Sequence, residues 1–327
     1  MERESDQLGF GDLELSRRPG RMPSWFAELD RVVDWSAVRA ALAPLRCRER
    51  GRPGHPPLML FKALLLQSWY GLSFEALEEM LGDRLSFQRF CGLRVGDPVP
   101  DHMALWRFHR ALQESGLDGR LFALVQGWLD AHGLIVRSGT LIDASIIQGG
   151  AARPAWGTAP EAAVDPDARH ARKGRASVYG YKLHVAVDQG SGLIRALAVT
   201  PANVNDCIVG PTLVQGDEAA VLADQGYCSA AMRARIAATR AEDLVMRRPN
   251  RHHPRLPPAA LDRNRRIARL RAPVERVFAA LKGTLGLART RCRGLAANTT
   301  TLCLACLTLN LRRACSLIQA RTLPAAG

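Results

Sequence analysis

The feature that most constrains this chain is a change in hydrophobic period at Gly133. Before it, apolar residues recur at helical spacing; after it, they gather in short β-branched runs. The first such runs are Leu134–Val136 and Thr140–Ile147, and the second carries one carboxylate, Asp143, in its middle. Tyr179–Asp188 and Leu193–Thr200 follow as two strand-like runs joined by Gln189-Gly-Ser-Gly192, a hairpin signal. Ala219–Ala223 and Asp243–Met246 read as further strands, with a helix over Ser229–Thr239 between them and helices over Pro258–Lys282 and Asn298–Arg321 at the end. Helices, then strand, hairpin, strand, helix, strand and helices describe a mixed α/β domain flanked by helical segments.

The N-terminal part divides at its caps and glycines. Residues 1–22 read as a flexible lead-in. A helical pattern runs from Ser24 to Leu45, and a basic Pro/Gly connector covers Cys47–Pro57. Residues 58–70 are apolar almost all round, as in a buried core helix ended by Gly71. Ser73, Ser86, Asp101 and Asp118 then open short helices, several of them closed by glycine. The pair around Gly82 has the outline of a helix-turn-helix, a weak signal, because short helices joined at glycine occur in any helical bundle. The expected organisation is a helical domain over 23–133, with DNA binding or dimerisation as its role, and a sheet domain over 134–321. Residues 149–175, rich in Ala, Gly, Pro and charge, read as a surface insert.

Charge narrows the partners. Lys and Arg number 45 against 31 acidic residues, a net +14, which favours a polyanion. No run reaches the ~18 uninterrupted apolar residues of a membrane span, and the acidic, polar start is unlike a signal peptide. Nucleic acid in the cytoplasm is the expectation, with no membrane partner. The eight cysteines include one close pair, Cys303 and Cys306, without the second pair or histidines a metal site needs, and read as buried helix residues.

Three carboxylates stand in suggestive settings. Asp143 lies within a strand. Asp224 ends one, before Gln225-Gly226, a turn that would leave it at the sheet edge. Read locally, a hydrogen-bonded structural Asp143 and a turn or cap Asp224 remain equally open. Glu275 shares a helical face with Arg271 and Lys282, beside an apolar stripe of Ile267, Leu270, Val274, Phe278 and Leu281. A solvated Arg–Glu pair is the alternative there, and Pro273 makes the phase of Arg271 uncertain. Acidic ligands on rigid elements would suit two metals ~3.5–4 Å apart that cleave a phosphodiester, and Mg²⁺ keeps positions for water and phosphate in such sites.

With these residues in view, the C-terminal two-thirds resembles the catalytic domain of bacterial insertion-sequence transposases, the DDE superfamily with an RNase H-like fold, within the insertion-sequence-five group. Leu141-Ile-Asp143-Ala-Ser145, Ala223-Asp224-Gln-Gly226-Tyr227 and the series Arg271, Glu275, Lys282 correspond to its three motifs; Ala268 stands where the family has Tyr. Gly180-Tyr-Lys182-Leu-His184 and Ala202-Asn-Val-Asn-Asp206 resemble intervening segments, and residues 55–110 resemble the group's helical N-terminal domain. The resemblance implies Asp143, Asp224 and Glu275 as catalytic metal ligands for two Mg²⁺ ions, with Mn²⁺ expected to substitute. It implies cleavage at terminal inverted repeats and joining of the 3′ ends to target DNA. A homodimer on paired ends and a nucleoid-associated place in the bacterial cytoplasm follow from it too.

Arg271 and Lys282 are then expected phosphate contacts. Lys182 and His184, alternating with Asp188 along one strand, are candidates for DNA or supporting contacts, with a plain polar hairpin face the stronger alternative. The basic runs at Arg247, Arg248 and Arg251 and at Arg263, Arg265 and Arg266 are candidate backbone contacts. Competing readings are a structure-specific nuclease on the same fold and a domesticated DNA-binding protein; a membrane-surface protein is a distant third.

Overall fold

A computed structural model describes residues 24–45, 54–94, 96–174, 176–249, 251 and 254–322. The expected lead-in over 1–22 and most of the connector before Pro57 lie outside the described residues. The chain forms two compact units. One takes the described residues up to Gly127 together with those from Cys303 onward, and the other runs from Trp128 to Leu302.

The helical unit contains α1 (Ser24–Val32), α2 (Trp35–Leu42), α3 (Pro57–Tyr70), α4 (Phe74–Asp83), α5 (Leu85–Cys91), α6 (His102–Ser115) and most of α7 (Leu117–Ala131). The single helix expected from Ser24 is two, because the Asp34 carboxylate accepts the Ser36 N–H at 2.9 Å and restarts the chain as a cap. Ser73 and Asp101 cap α4 and α6 in the same way, at 3.1 and 2.6 Å. Helix α3 is buried nearly all round and stops at Gly71, whose φ of 61° is the left-handed conformation glycine adopts without strain. A single residue, Arg84, separates α4 from α5, and the Gln88 amide holds the turn by donating to the carbonyls of Leu81 and Gly82. Helix α5 buries Phe87, Phe90 and Cys91, and Phe90 stacks on Phe26 at 4.8 Å in the aromatic centre of this unit.

The other unit is built on a six-stranded sheet of β1 (Thr140–Gln148), β2 (Arg169–Lys173), β3 (Ala176–Asp188), β4 (Ile194–Pro201), β5 (Ala220–Ala223) and β6 (Glu242–Val245). β3 lies antiparallel to β1, and its other edge is taken by β2 along its first half and β4 along its second. β5 and β6 extend the sheet beyond β1 in parallel. Helices α8 (Asp206–Leu213) and α9 (Ala230–Ala237) cover one face, where Ile142, Ala186, Val209, Val221, Tyr227, Met232 and Ile236 form a core. Helix α10 (Pro258–Arg271) packs on β5, and α11 (Pro273–Ala279) on β1.

Four features depart from the sequence reading. Leu134–Val136 is not a strand: Arg137 turns at a φ of 61°, and the Asp188 carboxylate accepts the N–H groups of Val136 and Arg137, which a ladder would otherwise use. Helix α8 was not anticipated, since Gly210 and Pro211 sit inside its eight residues. Gly210 is needed there, because a Cβ would stand 2.7 Å from the Tyr227 ring. The helix expected over Pro258–Lys282 breaks between α10 and α11 at Pro273 and ends in a π-helical turn, Ala280–Thr284. That turn alters the phase by which Glu275 and Lys282 were expected to share a face. Last, α12 (Leu295–Thr322) is, over Leu295–Arg321, long and apolar enough by length and composition to cross a membrane. Most of its apolar window is buried within the protein, with Leu302, Leu304, Ala305, Cys306 and Leu307 nearly inaccessible, as in a core helix.

The 149–175 segment is also more structured than its composition suggests, for it supplies β2 and a buried carboxylate. Asp165, fully inaccessible, accepts the Tyr181 hydroxyl at 2.7 Å and the Gly294 N–H at 3.2 Å, and its carbonyl accepts the Tyr179 hydroxyl. Two residues on, Asp167 accepts the Leu295 N–H where α12 begins. Tyr181→Phe leaves Asp165 short of its side-chain donor, so the expected cost is about 1–3 kcal/mol. A lower urea midpoint at unchanged slope is the reading that checks it.

Candidate active site

The parallel ladder between β1 and β5 ends early, and the site lies where it ends. Its last partners are Ile142 and Ala223, so Asp143 and Asp224 are the next residues along two neighbouring strands. β1 runs on to Gln148 against β3, while the chain after Ala223 turns away through Gln225–Tyr227. Side chains alternate along a strand, so Asp143 faces away from Ile142 and its core cluster. The Asp143 Oδ1 accepts its neighbour's N–H, from Ala144, and Oδ2 lies 3.1 Å from the Arg271 Nη2. Asp224 accepts the Gly226 N–H at 2.8 Å.

A third carboxylate joins them that sequence reasoning had not singled out as a site residue. Asp206, at the start of α8, accepts Lys182 Nζ at 2.8 Å. Its other oxygen lies 3.1 Å from the point a Cβ on Gly226 would occupy, and Asp224 Oδ1 lies 3.0 Å from that same point. These two carboxylate oxygens are therefore at most about 6 Å apart. The absent side chain at 226 is what admits both. The signal was present only as an acidic residue after Asn205 at a helix start, in a segment similar to a family segment.

The electrostatics follow from this crowding. Burial pushes the Asp143 carboxyl up to about 6, with Asp224 and Asp206 adding to the effect and Arg271 and the Ala144 N–H opposing it. Burial, then the charges of Asp206, Asp143 and Asp224, also raise the Tyr227 hydroxyl, keeping it neutral. A partly buried carboxylate crowded by two others calls for a cation, and Arg271 supplies one. Its side chain is 11% exposed and its Nε is buried without a hydrogen-bond partner. The donors here are hard carboxylate oxygens, two of them on adjacent strands, which suits Mg²⁺ with water in its remaining positions. Among the described residues no three His, Cys, Asp or Glu side chains form a ready-made metal cluster.

The remaining expected residues fall into distinct places. Glu275 is exposed in the first turn of α11, one turn beyond Arg271, and Lys282 is half-buried in the π-helical turn. Lys182 and His184, expected as DNA or supporting contacts, stand behind the carboxylates in a supporting place. Lys182 Nζ is held by the Val204 carbonyl and Asp206, and fully buried His184 lies between the Tyr227 hydroxyl and Thr200 Oγ1. Asp188 closes the β3–β4 hairpin by accepting from Ser191.

Of the basic residues, Arg263 donates to the carbonyls of Asp243 and Val245 at the end of β6, and Arg265 pairs with Asp262. Arg247, Arg248, Arg251 and Arg266 are exposed. Asn264 clamps the backbone of Arg247 in both directions, and Arg248 with Pro249 lines one cleft with Asp224, Gln225 and Gly226. A basic loop thus overhangs the acidic edge.

Asp143 and Asp224 thus follow the last paired residues of neighbouring strands, with Arg248 beside Asp224, and comparison with known families gives the class. Residues 135–311, more than half of the chain, match the family described as "Transposase DDE domain", and the chain belongs to that family. Residues 19–111 match a second family, "Transposase domain (DUF772)". The protein is a DDE-type transposase. No solved structure matches the chain.

His184 gives this region a pH dependence with a definite sign. Burial pushes its imidazole down to about 4, against a smaller opposing effect of Asp206, so the unfolded chain binds the extra proton first as pH falls. The stability from neutral His184 is fully present above pH ~6.5 and is lost as pH falls towards about 4. Replacing His184 with Gln is expected to flatten that loss by roughly 1 kcal/mol per pH unit. Urea midpoints of the two proteins across pH 7 to 4 measure it.

Proposed function

We propose that this transposase serves an insertion sequence of the insertion-sequence-five group. In this reading it binds the terminal inverted repeats, cleaves the element's ends by Mg²⁺-dependent phosphodiester hydrolysis and joins the freed 3′ ends to target DNA. The observation that carries the reading is the stop of the β1–β5 ladder, after which Asp143 and Asp224 are the next residues along the two chains, with Arg248 lining the cleft at Asp224. The order β4-β3-β1-β5-β6, with one antiparallel hairpin beside parallel strands, supports an RNase H-like domain.

Asp143 and Asp224 would hold the Mg²⁺, for which Mn²⁺ would substitute, and Glu275 would complete the set from α11. When bound, the ions make the attacking oxygen a better nucleophile and neutralise the leaving one. Arg271 is counter-ion to Asp143 and a bidentate donor for a neighbouring phosphate. Lys282 adds a point charge from the turn after α11. Arg247, Arg248, Arg251 and Arg266, all exposed and with Arg248 lining the cleft, follow the DNA backbone and contribute affinity without sequence choice. Two copies act on paired ends, and the helical unit contributes further DNA contact. The work is done in the bacterial cytoplasm at the nucleoid.

Asp143→Asn is expected to reduce cleavage of a transposon-end duplex in Mg²⁺ to background while leaving end binding within about twofold, because binding rests mainly on phosphate contacts. Parallel cleavage and gel-shift assays test this, and joint loss of both activities would count for a structural Asp143. Arg248→Ala is expected to lower the slope of log affinity against log salt by about 1.

A further inference from the structure

Lys182 is the cation closest in kind to a competitor for this site. Its side chain is 14% exposed, on the strand next to β1, and paired in register with Ile146, three residues from Asp143. It does not pair with Asp143 or Asp224. Asp206 Oδ1 and the Val204 carbonyl hold its Nζ, each at 2.8 Å, on the side of the sheet covered by α8. Asp224 lies close to this pair: its Oδ1 is within about 6 Å of Asp206 Oδ2 across Gly226. A lysine has a flexible four-carbon stem and three donors, so its charge goes wherever a carboxylate is offered.

We propose that Asp206 is a positioning residue that retains Lys182 and neutralises it, so that Asp143 and Asp224 keep their open demand for a divalent cation. Gly226 is part of the device, since a Cβ there would meet both the Asp206 and the Asp224 oxygens. Among the described residues, Arg271 is then the side-chain cation that pairs with Asp143, its Nη2 3.1 Å from Oδ2. Without Asp206 the ammonium turns to Asp224 and occupies an oxygen that a metal ion needs. This inference rests on the reading of Asp143 and Asp224 as cation ligands.

The test is Mn²⁺ binding to the full chain without DNA, followed by the electron-paramagnetic-resonance signal of the free ion, with circular dichroism to check folding. Asp206→Asn is expected to weaken Mn²⁺ about tenfold, the order of effect of an uncompensated cation a few ångströms away. Adding Lys182→Met to it is expected to restore affinity to within about twofold of the unsubstituted chain, a rescue that neither a lost ligand nor a damaged fold would show. Lys182→Met alone is expected to bind at least as tightly as the unsubstituted chain. If Asp206→Asn fails to fold, the double and the single Lys182 variants decide the matter, since weakened binding in either overturns the proposal. Unchanged affinity in Asp206→Asn overturns it too, as does a double variant as weak as the single. No binding by the unsubstituted chain, or full binding by Asp143→Asn, counts against the metal reading itself and removes this inference with it.

Discussion

The structure of the site depends on where one parallel ladder stops. β5 is four residues long, and its pairing with β1 covers three positions, ending at Ile142 and Ala223. One further pair would have placed Asp143 and Asp224 inside a continuous sheet, where two neighbouring carboxylates are costly to bury. Stopping there instead opens the sheet edge and lets the chain turn through Gln225–Tyr227. The Asp224 side chain is then tied to the Gly226 amide rather than to the next strand. The core on the α8–α9 face fixes this register. Ile142, Val221 and Ala223 are all buried in one cluster, and a slip of one residue would turn each of them to the opposite side.

Around that edge, charge is arranged in layers. Arg271 reaches Asp143 from the end of α10, while Lys182 is drawn back by Asp206 on the other side of the sheet. His184 is kept neutral by burial beneath Tyr227 and adds no positive charge of its own. Exposed Arg247, Arg248 and Arg251 belong to the loop after β6, where Asn264 fixes the backbone of Arg247 and Arg263 fixes the strand end. Membership of the transposase DDE domain family gives this arrangement its chemical context.

Much of the fold was legible where one physical signal decides it. The β3–β4 hairpin, β1 and β5 follow from two-residue alternation and β-branched residues, and the caps at Ser73 and Asp101 were read from their side chains alone. The adjacency of Asp143 and Asp224 was not, because register between distant strands is set by packing; locally each residue passed equally well for a structural aspartate. Helix α8 was hidden by Gly210 and Pro211, which tertiary contact with Tyr227 tolerates although propensity does not. Asp165 was hidden for the opposite reason: a polar residue buried by pairing leaves no mark in hydrophobic periodicity. The π-helical turn that contains Lys282 changed the helical phase, so a face drawn on an ideal helix did not carry through it. Lys182 and His184 were read as DNA or supporting contacts, and alternation along the strand could not choose between the two; their partners Asp206 and Tyr227 lie on the helix-covered side.

The central claim is that Asp143 and Asp224 belong to one cation site. Fe²⁺ is bound in place of Mg²⁺, and hydrogen peroxide and ascorbate are added. Peroxide oxidises Fe²⁺ to Fe³⁺ and splits into hydroxide and a hydroxyl radical, and ascorbate returns Fe³⁺ to Fe²⁺. The radical cuts the nearest backbone, and fragment mapping locates the cuts. The account predicts two clusters of cuts, one beside residue 143 on β1 and one beside residue 224 after β5, both suppressed by excess Mg²⁺. Cuts confined to one of these strands, or placed elsewhere in the chain, would contradict it.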